Sequence, residues 1–200
     1  MTADQRNDQI VVTNSSNRCI QIFDEKGTFL RTFGSEGLGD GQFSSPYGIV
    51  VDQQGNYVVP DANNHRIQIF NSHGQFLRKF GFEGKGNGQM NGPLGVGLLS
   101  KGNIVVSENN GNRLQIFDFE GNFVRIVGAG QFKSPIHLFV DSDDNILVAD
   151  GGNHCIQVFH QNSNHIKTIG TGQISKPRGV CMDREGRIVV TEGAARISIF

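Results

Sequence analysis

One short phrase occurs five times in this chain and ends each time in phenylalanine. The copies are NRCIQIF (17–23), NHRIQIF (64–70), GNRLQIF (111–117), NHCIQVF (153–159) and AARISIF (194–200). Their closing phenylalanines are 47, 47, 42 and 41 residues apart. Four of the five prolines follow the same period: Pro46, Pro93, Pro135 and Pro177. A period of this length is typical of repeat proteins, in which each unit packs against its neighbours.

The stretch from Pro46 to Gly92 contains one full unit. Its apolar runs are PYGIVVD, YVVPD, HRIQIF and QFLRKFG, separated by the turn sequences QQGN, ANN and NSHG. Short β-branched and aromatic runs between Gly, Asn and Ser turns predict four antiparallel strands, with no helical period among them. Four strands in a unit of this length describe a propeller blade. We therefore predict an all-β propeller.

The predicted domain is a single one, residues 1–200, and it is built from five units. Their approximate bounds are 10–45, 46–92, 93–134, 135–176 and 177–200. The first unit starts at its second strand and the last ends after its third, so we expect 3, 4, 4, 4 and 3 strands. In the third strand, Ile67 and Ile69 face one side while Gln68 and Phe70 face the other. We expect the Phe to pack against the next blade.

The phrase NHRIQIF, with the upstream pattern PxGIVVDxxGNxVVxD, resembles the NHL repeat, and the resemblance extends over the chain from about Ile10. It implies a β-propeller, commonly six-bladed, so we expect the chain to form part of a six-bladed ring. Many NHL domains lie at the C-terminus of RING/B-box tripartite-motif ubiquitin ligases and bind RNA or protein partners. The chain contains no RING or B-box, so any ligase activity would lie outside it.

Acidic and basic residues are paired across the turn between the second and third strands. A carboxylate there can accept turn N–H groups and pair with an arginine. We interpret three such pairs as structural turn staples: Asp61 with Arg66, Glu108 with Arg113, and Glu192 with Arg196. The first unit has Asn14 and Cys19 at these positions, and the fourth has Cys155, which leaves Asp150 without its arginine.

Several motifs suggest chemistry but fit the repeat better. His154, His160 and His165 fall on a turn, a strand end and the next strand, so we expect no metal site. DSDDN (141–145) aligns with hairpin turns, and GSEGLGDGQF (34–43) and GFEGKGNGQM (81–90) are inter-blade linkers without the GK[ST] of a phosphate loop. We find no catalytic constellation. We predict that the chain is not an enzyme and has no cofactor or small-molecule substrate.

The candidate binding face consists of the residues at which the repeats differ, just after each blade-opening proline. It comprises Tyr47, Leu94, Ile136, His137, Lys176 and Arg178. In NHL domains that bind RNA, the corresponding loops lie on one face, which implies that Tyr47 can stack on a base and Arg178 can stack or bind phosphate. Leu94 and Ile136 fit a protein contact better. Ordinary loop residues would produce the same pattern.

Charge and composition favour a protein partner. The 18 Lys and Arg residues nearly balance the 19 Asp and Glu residues, whereas RNA binding draws much of its affinity from phosphate contacts. No apolar run is long enough to span a bilayer, and the three cysteines form no CxxC motif, so we expect a cytoplasmic protein. The predicted function is a protein-interaction scaffold, such as a substrate-recruiting module of a ubiquitin ligase. The alternative is a single-stranded RNA reader, and a metal-dependent lyase is more remote.

Overall fold

The computed structural model describes residues 1–200, and apart from a single 3-10 turn, Ala62–Asn64, its regular elements are all β-strands. The chain forms two compact parts, Met1–Val96 and Gly97–Phe200. Below, the first unit and the second unit mean these two parts and no longer the five sequence repeats. None of its helical structure is long and apolar enough to cross a membrane. The predicted all-β class is confirmed.

The first sheet has four strands rather than the three that we predicted. In order they are β1 (Thr2–Asp4), β2 (Gln9–Asn14), β3 (Cys19–Asp24) and β4 (Phe29–Phe33). Strand β1 pairs antiparallel with β2, with Thr2 opposite Val11. The turn after β1 is closed by the Asp4 carboxylate, which accepts the Arg6 N–H (3.1 Å) and the Asn7 side-chain amide (2.9 Å). The sequence TAD lacks an apolar alternation, which is why it was not recognised as a strand.

The second sheet follows after a linker that contains two short strands, β5 (Ser35–Glu36) and β6 (Gln42–Phe43), which pair in parallel. The four strands of this sheet are β7 (Val50–Val51), β8 (Tyr57–Asp61), β9 (Arg66–Phe70) and β10 (Phe76–Phe80). Neighbouring strands are antiparallel throughout, as short hairpin connections require.

The third and fourth sheets repeat this antiparallel order. The third comprises β11 (Pro93–Leu98), β12 (Ile104–Glu108), β13 (Arg113–Phe117) and β14 (Phe123–Val127). The fourth comprises β15 (Pro135–Val140), β16 (Asn145–Asp150), β17 (Cys155–His160) and β18 (His165–Ile169). In both sheets the third and fourth strands are joined with a register shift, or bulge, at the start of the fourth.

The fifth sheet has three strands, as predicted. They are β19 (Pro177–Met182), β20 (Ile188–Glu192) and β21 (Ile197–Ile199). Strand β21 pairs with β20 on one side only and is therefore an edge strand.

Packing between sheets corrects the predicted direction of the closing phenylalanine. In the first unit, Ile20 and Ile22 of β3 pack in one buried cluster with Tyr57, Val59 and Phe70 of the second sheet. The isoleucines thus face the next sheet, and the Phe faces the preceding one. The alternation was visible in the sequence, but it does not say which neighbour lies on which side. Full burial of each of these side chains contributes about 1.5–3 kcal/mol.

The second unit has the same arrangement in two successive clusters. Leu114 and Ile116 pack with Phe159, and Ile156 packs with Phe200 of the last sheet. The repeated phrase is therefore a two-sided packing element, since its aliphatic pair and its Phe bury surface on opposite faces of one strand.

A left-handed residue precedes the third strand in every sheet, directly before it in the first four sheets and two residues before it in the fifth. The five residues, with φ between 50° and 56°, are Arg18, His65, Asn112, His154 and Ala195. Non-glycine residues with this φ are uncommon, and Asn, Asp and His are enriched among them. This backbone requirement accounts for His65, Asn112 and His154, the middle residues of their repeated triplets.

Three of these left-handed residues also hold the segment that leads to the next sheet. Each accepts a backbone N–H from the residue before the next proline: Gly92 to His65 Nδ1 (3.3 Å), Ser134 to Asn112 Oδ1 (2.7 Å), and Lys176 to His154 Nδ1 (3.0 Å). Neither the Arg18 nor the Ala195 side chain can accept such a bond.

Candidate functional site

The Asp61–Arg66 pair lies at the centre of a buried polar cluster in the first unit. Asp61 ends β8 and Arg66 begins β9, and Nε of Arg66 lies 3.2 Å from Oδ2 of Asp61. Oδ1 of Asp61 accepts the N–H groups of Ser44 (2.9 Å) and Ser45 (3.0 Å). Both charged side chains are buried. Such a pair is tolerated only when its remaining hydrogen-bonding groups are satisfied, as they are here.

Arg66 does more than staple a turn, because it clamps the linker before its own sheet. Nη1 donates to the carbonyl of Leu38 (2.7 Å), and Nη2 donates to those of Gly39 (2.9 Å) and Gln42 (2.7 Å). Gln68 adds a further bond from its side-chain amide to the Gln42 carbonyl (2.7 Å). The linker 34–43 is therefore fixed through its backbone despite its four glycines.

This clamp presents an apolar side chain to solvent. Leu38 is 76% exposed, although its carbonyl is bound from beneath by the buried Arg66. Sequence reasoning missed Leu38, since it interpreted residues 34–43 only as an inter-blade linker. The signal was present: a hydrophobic residue among glycines, in a long linker whose following sheet carries the acid–arginine pair.

Tyr47 is the predicted site residue that follows this linker. Tyr47 is 40% exposed, while its N–H donates to the Pro60 carbonyl (3.2 Å) and its carbonyl accepts the Thr13 hydroxyl (2.6 Å). The next residue, Gly48, donates its N–H to the carbonyl of Leu94 (2.8 Å). The structure therefore brings Tyr47 and Leu94 onto neighbouring, hydrogen-bonded segments of the first unit.

The other two acid–arginine pairs lie in the second unit. Nε of Arg113 is 2.8 Å from Oε1 of Glu108, and Nε of Arg196 is 2.8 Å from Oε1 of Glu192. Hydrogen bonds from Arg196, from the Ser198 hydroxyl and from a backbone N–H hold the pKa of Glu192 down at about 2. Glu192 is therefore a fully charged carboxylate at neutral pH.

The fourth sheet lacks the arginine, yet its acid is not left without partners. Oδ2 of Asp150 accepts the side-chain amides of Asn153 (2.8 Å) and Gln157 (2.7 Å), and Oδ1 accepts the Lys133 N–H (2.9 Å). Cys155 occupies the arginine position, where burial and the nearby Asp150 raise the pKa of its thiol to about 11. This cysteine is thus an inert packing residue near neutral pH.

Ile136 and His137 lie together near the start of β15. The Ile136 carbonyl accepts the Ser107 hydroxyl (2.7 Å), and Nδ1 of His137 accepts the Val180 N–H of β19 (3.4 Å). Burial lowers the pKa of His137, which favours its neutral form. Of the predicted site residues, His137 is the one whose ring is built into the contact between two sheets.

Lys176 and Arg178 lie together at the start of β19 and are both exposed. A methyl group placed on the Cα of Gly193 would lie 3.5 Å from Cβ of Lys176 and 3.6 Å from Nε of Arg178. The two cations therefore border the same turn of the fifth sheet. The predicted face thus contains an apolar part, Tyr47 with Leu94, in the first unit and a basic part in the second.

The remaining motifs have structural roles in the turns. Oδ1 of Asp141 accepts the N–H groups of Asp143 (2.9 Å) and Asn145 (2.8 Å), which makes DSDDN a hairpin turn. No group of three or more His, Cys, Asp or Glu side chains is placed to hold a metal ion.

Comparison with known protein families identifies NHL repeats in residues 43–70, 90–117 and 132–159. Each matched segment begins in a linker and ends at the closing Phe of the third strand. The matches fall on the second, third and fourth sheets, which makes the predicted NHL-type β-propeller the fold of this chain. A search of curated proteins found no significant match.

Three solved structures are similar in fold. Streptogramin B lyase matches 99% of this chain and 66% of its own length, at 15% identity and a TM-score of 0.74. Virginiamycin B lyase from Staphylococcus aureus matches 100% of this chain and 68% of its own, at 16% identity and a TM-score of 0.72. A protein of unknown function from Bacteroides caccae matches 97% and 70%, at 16% identity and a TM-score of 0.73. The chain thus spans about two thirds of the length of these structures.

These similarities correct one prediction. We predicted that the chain is not an enzyme, because the sequence has no catalytic constellation and propellers of this kind are often scaffolds. Two of the similar structures are lyases, so the same fold supports catalysis and the exclusion of enzyme activity is wrong. At this level of identity the similarity describes the fold alone.

Proposed function

We propose that this chain is a protein-binding module and that Leu38 and Tyr47 are the apolar anchors of its contact surface. The observation that carries the proposal is the clamp on the linker 34–43. It holds an exposed leucine on a backbone whose carbonyls are bound to a buried arginine. Anchors of this kind bind well because little conformational entropy is lost when the partner docks.

The type of side chain supports a protein rather than a nucleic-acid partner. Aromatic and apolar residues dominate the energetics of protein interfaces, and tyrosine is enriched among hot-spot residues. Leu38 offers neither a charge for phosphate nor a ring for stacking on a base. One form of this role is substrate recruitment, as in the C-terminal NHL domains of tripartite-motif proteins that the repeat sequence resembles.

The alternative, single-stranded RNA, rests on Lys176 and Arg178 of the second unit. Two neighbouring exposed cations can contact phosphates, and Tyr47 can stack on a base. The near-neutral net charge of −1 argues against RNA, because binding to a polyanion gains from a broad basic surface.

The test compares two double variants with the unchanged chain. Leu38→Asp/Tyr47→Ala removes the apolar anchors, and Lys176→Ala/Arg178→Ala removes the cations. Each protein is immobilised and incubated with cell lysate and with a random single-stranded RNA pool, at low and at high salt. We expect protein partners that persist at high salt and disappear from the Leu38/Tyr47 variant alone.

A matched control is Leu77→Asp, which adds the same charge at another exposed leucine of the first unit. It should retain the partners, and urea unfolding should give similar midpoints for all variants. RNA enrichment that falls steeply with salt and is lost with Lys176 and Arg178 would replace the proposal with the RNA alternative. Loss of protein partners in the Leu77→Asp control would show that the capture is non-specific.

A second candidate is a lyase activity, which the half-buried His137 favours. Its Nδ1 accepts a backbone N–H, which fixes the ring, and burial lowers its pKa, so a neutral imidazole is available as a general base. The purified chain can be incubated with virginiamycin B, and the loss of the antibiotic followed by chromatography. Turnover that His137→Ala abolishes would support this candidate, and no turnover by folded protein would reject it.

A further inference from the structure

The bend formed by Asn91 and Gly92, just before β11, places a backbone N–H group against a histidine. The N–H of Gly92 donates to Nδ1 of His65 (3.3 Å). Because Nδ1 accepts this bond, the proton of the neutral imidazole lies on Nε2. The fold therefore holds a base on the amide proton of the residue that directly follows an asparagine.

Asparagine followed by glycine allows the backbone to attack the side chain of the asparagine. The attacking atom is the nitrogen of the following residue, and glycine has no Cβ to hinder its approach. The chain contains three such pairs, at residues 87–88, 91–92 and 110–111. Of the three, the pair at 91–92 is the one whose glycine N–H donates to a histidine. Asn91 is half-buried, so water can reach its side chain.

We propose that Asn91 is a self-modification site at which His65 acts as the general base. Nδ1 of His65 takes the proton from the Gly92 nitrogen, and that nitrogen forms a bond to Cγ of Asn91. The C–N bond of the side-chain amide breaks, and its nitrogen leaves as ammonia with the proton that His65 held. Water then opens the succinimide ring, so residue 91 becomes aspartate or isoaspartate. The overall step consumes water, releases ammonia and needs no oxidant or reductant.

The modification would reach the segment that holds Tyr47, whether or not the surface there binds a protein. Isoaspartate lengthens the backbone by an extra carbon next to Gly92. The carbonyl of Leu94, close behind in the sequence, accepts the N–H of Gly48 (2.8 Å), and Gly48 follows Tyr47. We therefore expect hydrogen exchange at the Gly48 amide to quicken as Asn91 is converted.

The test follows the conversion of asparagine into a carboxylate in the purified, folded chain. The chain is incubated at neutral pH in water enriched in heavy oxygen, sampled over days and digested in ordinary water. Mass spectrometry of the peptides then detects heavy oxygen in each new carboxylate, which excludes conversion during digestion. Asn110, whose glycine N–H faces no histidine, serves as the internal reference.

The informative variant is His65→Asn, which keeps a hydrogen-bond acceptor but cannot take up a proton. Asn112 shows that asparagine fits the equivalent position, since it has a left-handed backbone and accepts the Ser134 N–H (2.7 Å). We expect His65→Asn to slow the conversion of Asn91 at least about tenfold, because a general base is lost. The conversion of Asn110 should not change.

Two controls separate base catalysis from a change in flexibility. His154→Asn makes the same substitution at the equivalent position of the fourth sheet and should leave the conversion of Asn91 unchanged. In the urea-unfolded chain, where His65 no longer faces Gly92, Asn91 should convert more slowly than in the folded chain. The proposal is overturned if Asn91 is not converted in the folded chain, if unfolding accelerates its conversion, or if His65→Asn leaves the rate unchanged or raises it.

Discussion

The second and fifth sheets contain the same acid–arginine pair in two different surroundings. Asp61 and Arg66 follow a ten-residue linker, and the Arg66 side chain is 7% exposed. Glu192 and Arg196 follow a linker five residues shorter, and the Arg196 side chain is 55% exposed although its carboxylate partner is buried. A carboxylate–arginine pair at the same repeat position is thus buried in one sheet and partly exposed in the other.

The length of the linker accounts for the difference. A long linker folds back over the arginine and provides three carbonyls for it to bind, whereas the short linker provides one, that of Gln173. Buried ionic groups are strongly destabilising when one partner is removed, and exposed pairs contribute little. The two pairs should therefore respond very differently to the same substitution.

The largest difference is expected for the acids. Asp61→Ala leaves the buried Arg66 guanidinium without its carboxylate and the N–H groups of Ser44 and Ser45 without an acceptor. We expect a loss of about 3–5 kcal/mol in the free energy of unfolding. Urea denaturation followed by circular dichroism measures it. Glu192→Ala should shift the midpoint less, and equal shifts would contradict the role assigned to burial.

The next largest difference is expected between the two arginines, both in the free energy of unfolding and in the local stability of the linker. Arg66→Ala removes the clamp on the linker 34–43 and should cost about 2–3 kcal/mol, mainly by leaving Asp61 without its charged partner. Hydrogen exchange should quicken at the Gly39 and Gly41 amides. Arg196→Ala serves as the control, because it leaves that linker intact. Unchanged exchange at Gly39 in the Arg66 variant would show that other contacts hold the linker.

Lowering the pH should remove the stabilisation that Glu192 gives to the fifth sheet, and this effect should be smaller than those of the substitutions above. The pKa of Glu192 is lowered from 4.5 to about 2, so its stabilising contribution is complete above about pH 4.5 and is lost as the pH falls towards 2. The urea midpoint, measured between pH 6 and pH 2.5, should therefore fall less steeply for Glu192→Gln than for the unchanged chain. Parallel curves would indicate that Glu192 has the same pKa in the folded and unfolded states.

The smallest effect concerns the left-handed residue of the fifth sheet. Ala195 has φ 56° and cannot accept a hydrogen bond, whereas Asn112 at the equivalent position tolerates this backbone and accepts one. Ala195→Asn should stabilise the chain by about 0.5–1 kcal/mol, because Asn visits the left-handed region at lower cost. Thermal unfolding would detect it. His65→Ala, the reverse change in the second sheet, should destabilise.

Internal repetition made most of the fold predictable. The third strands and their closing phenylalanines follow from comparing the five copies of one phrase with each other. Strand β1 could not be found in this way, because TAD has no counterpart in the other units and is held by Asp4 and its turn. The direction of packing could not be predicted either, because an alternating strand has two faces and only the fold shows which neighbouring sheet each face contacts.

The candidate site was predictable only in part, because some of its contacts join residues that are far apart in the sequence. The Asp61–Arg66 pairing is local and was inferred from a spacing of five residues. The bond from Arg66 to the Leu38 carbonyl joins residues 28 apart and involves a backbone group, which leaves no residue type to recognise. Leu38 was missed for this reason.

The clamped linker also bears on how the chain resists proteases. A protease must draw several residues of its substrate into an extended strand in the active-site cleft, and surface loops rich in glycine usually yield readily. Here the carbonyls of Leu38, Gly39 and Gln42 would first have to be released from Arg66. The segment that looks most vulnerable in the sequence is therefore protected from cleavage until the buried ion pair beneath it opens.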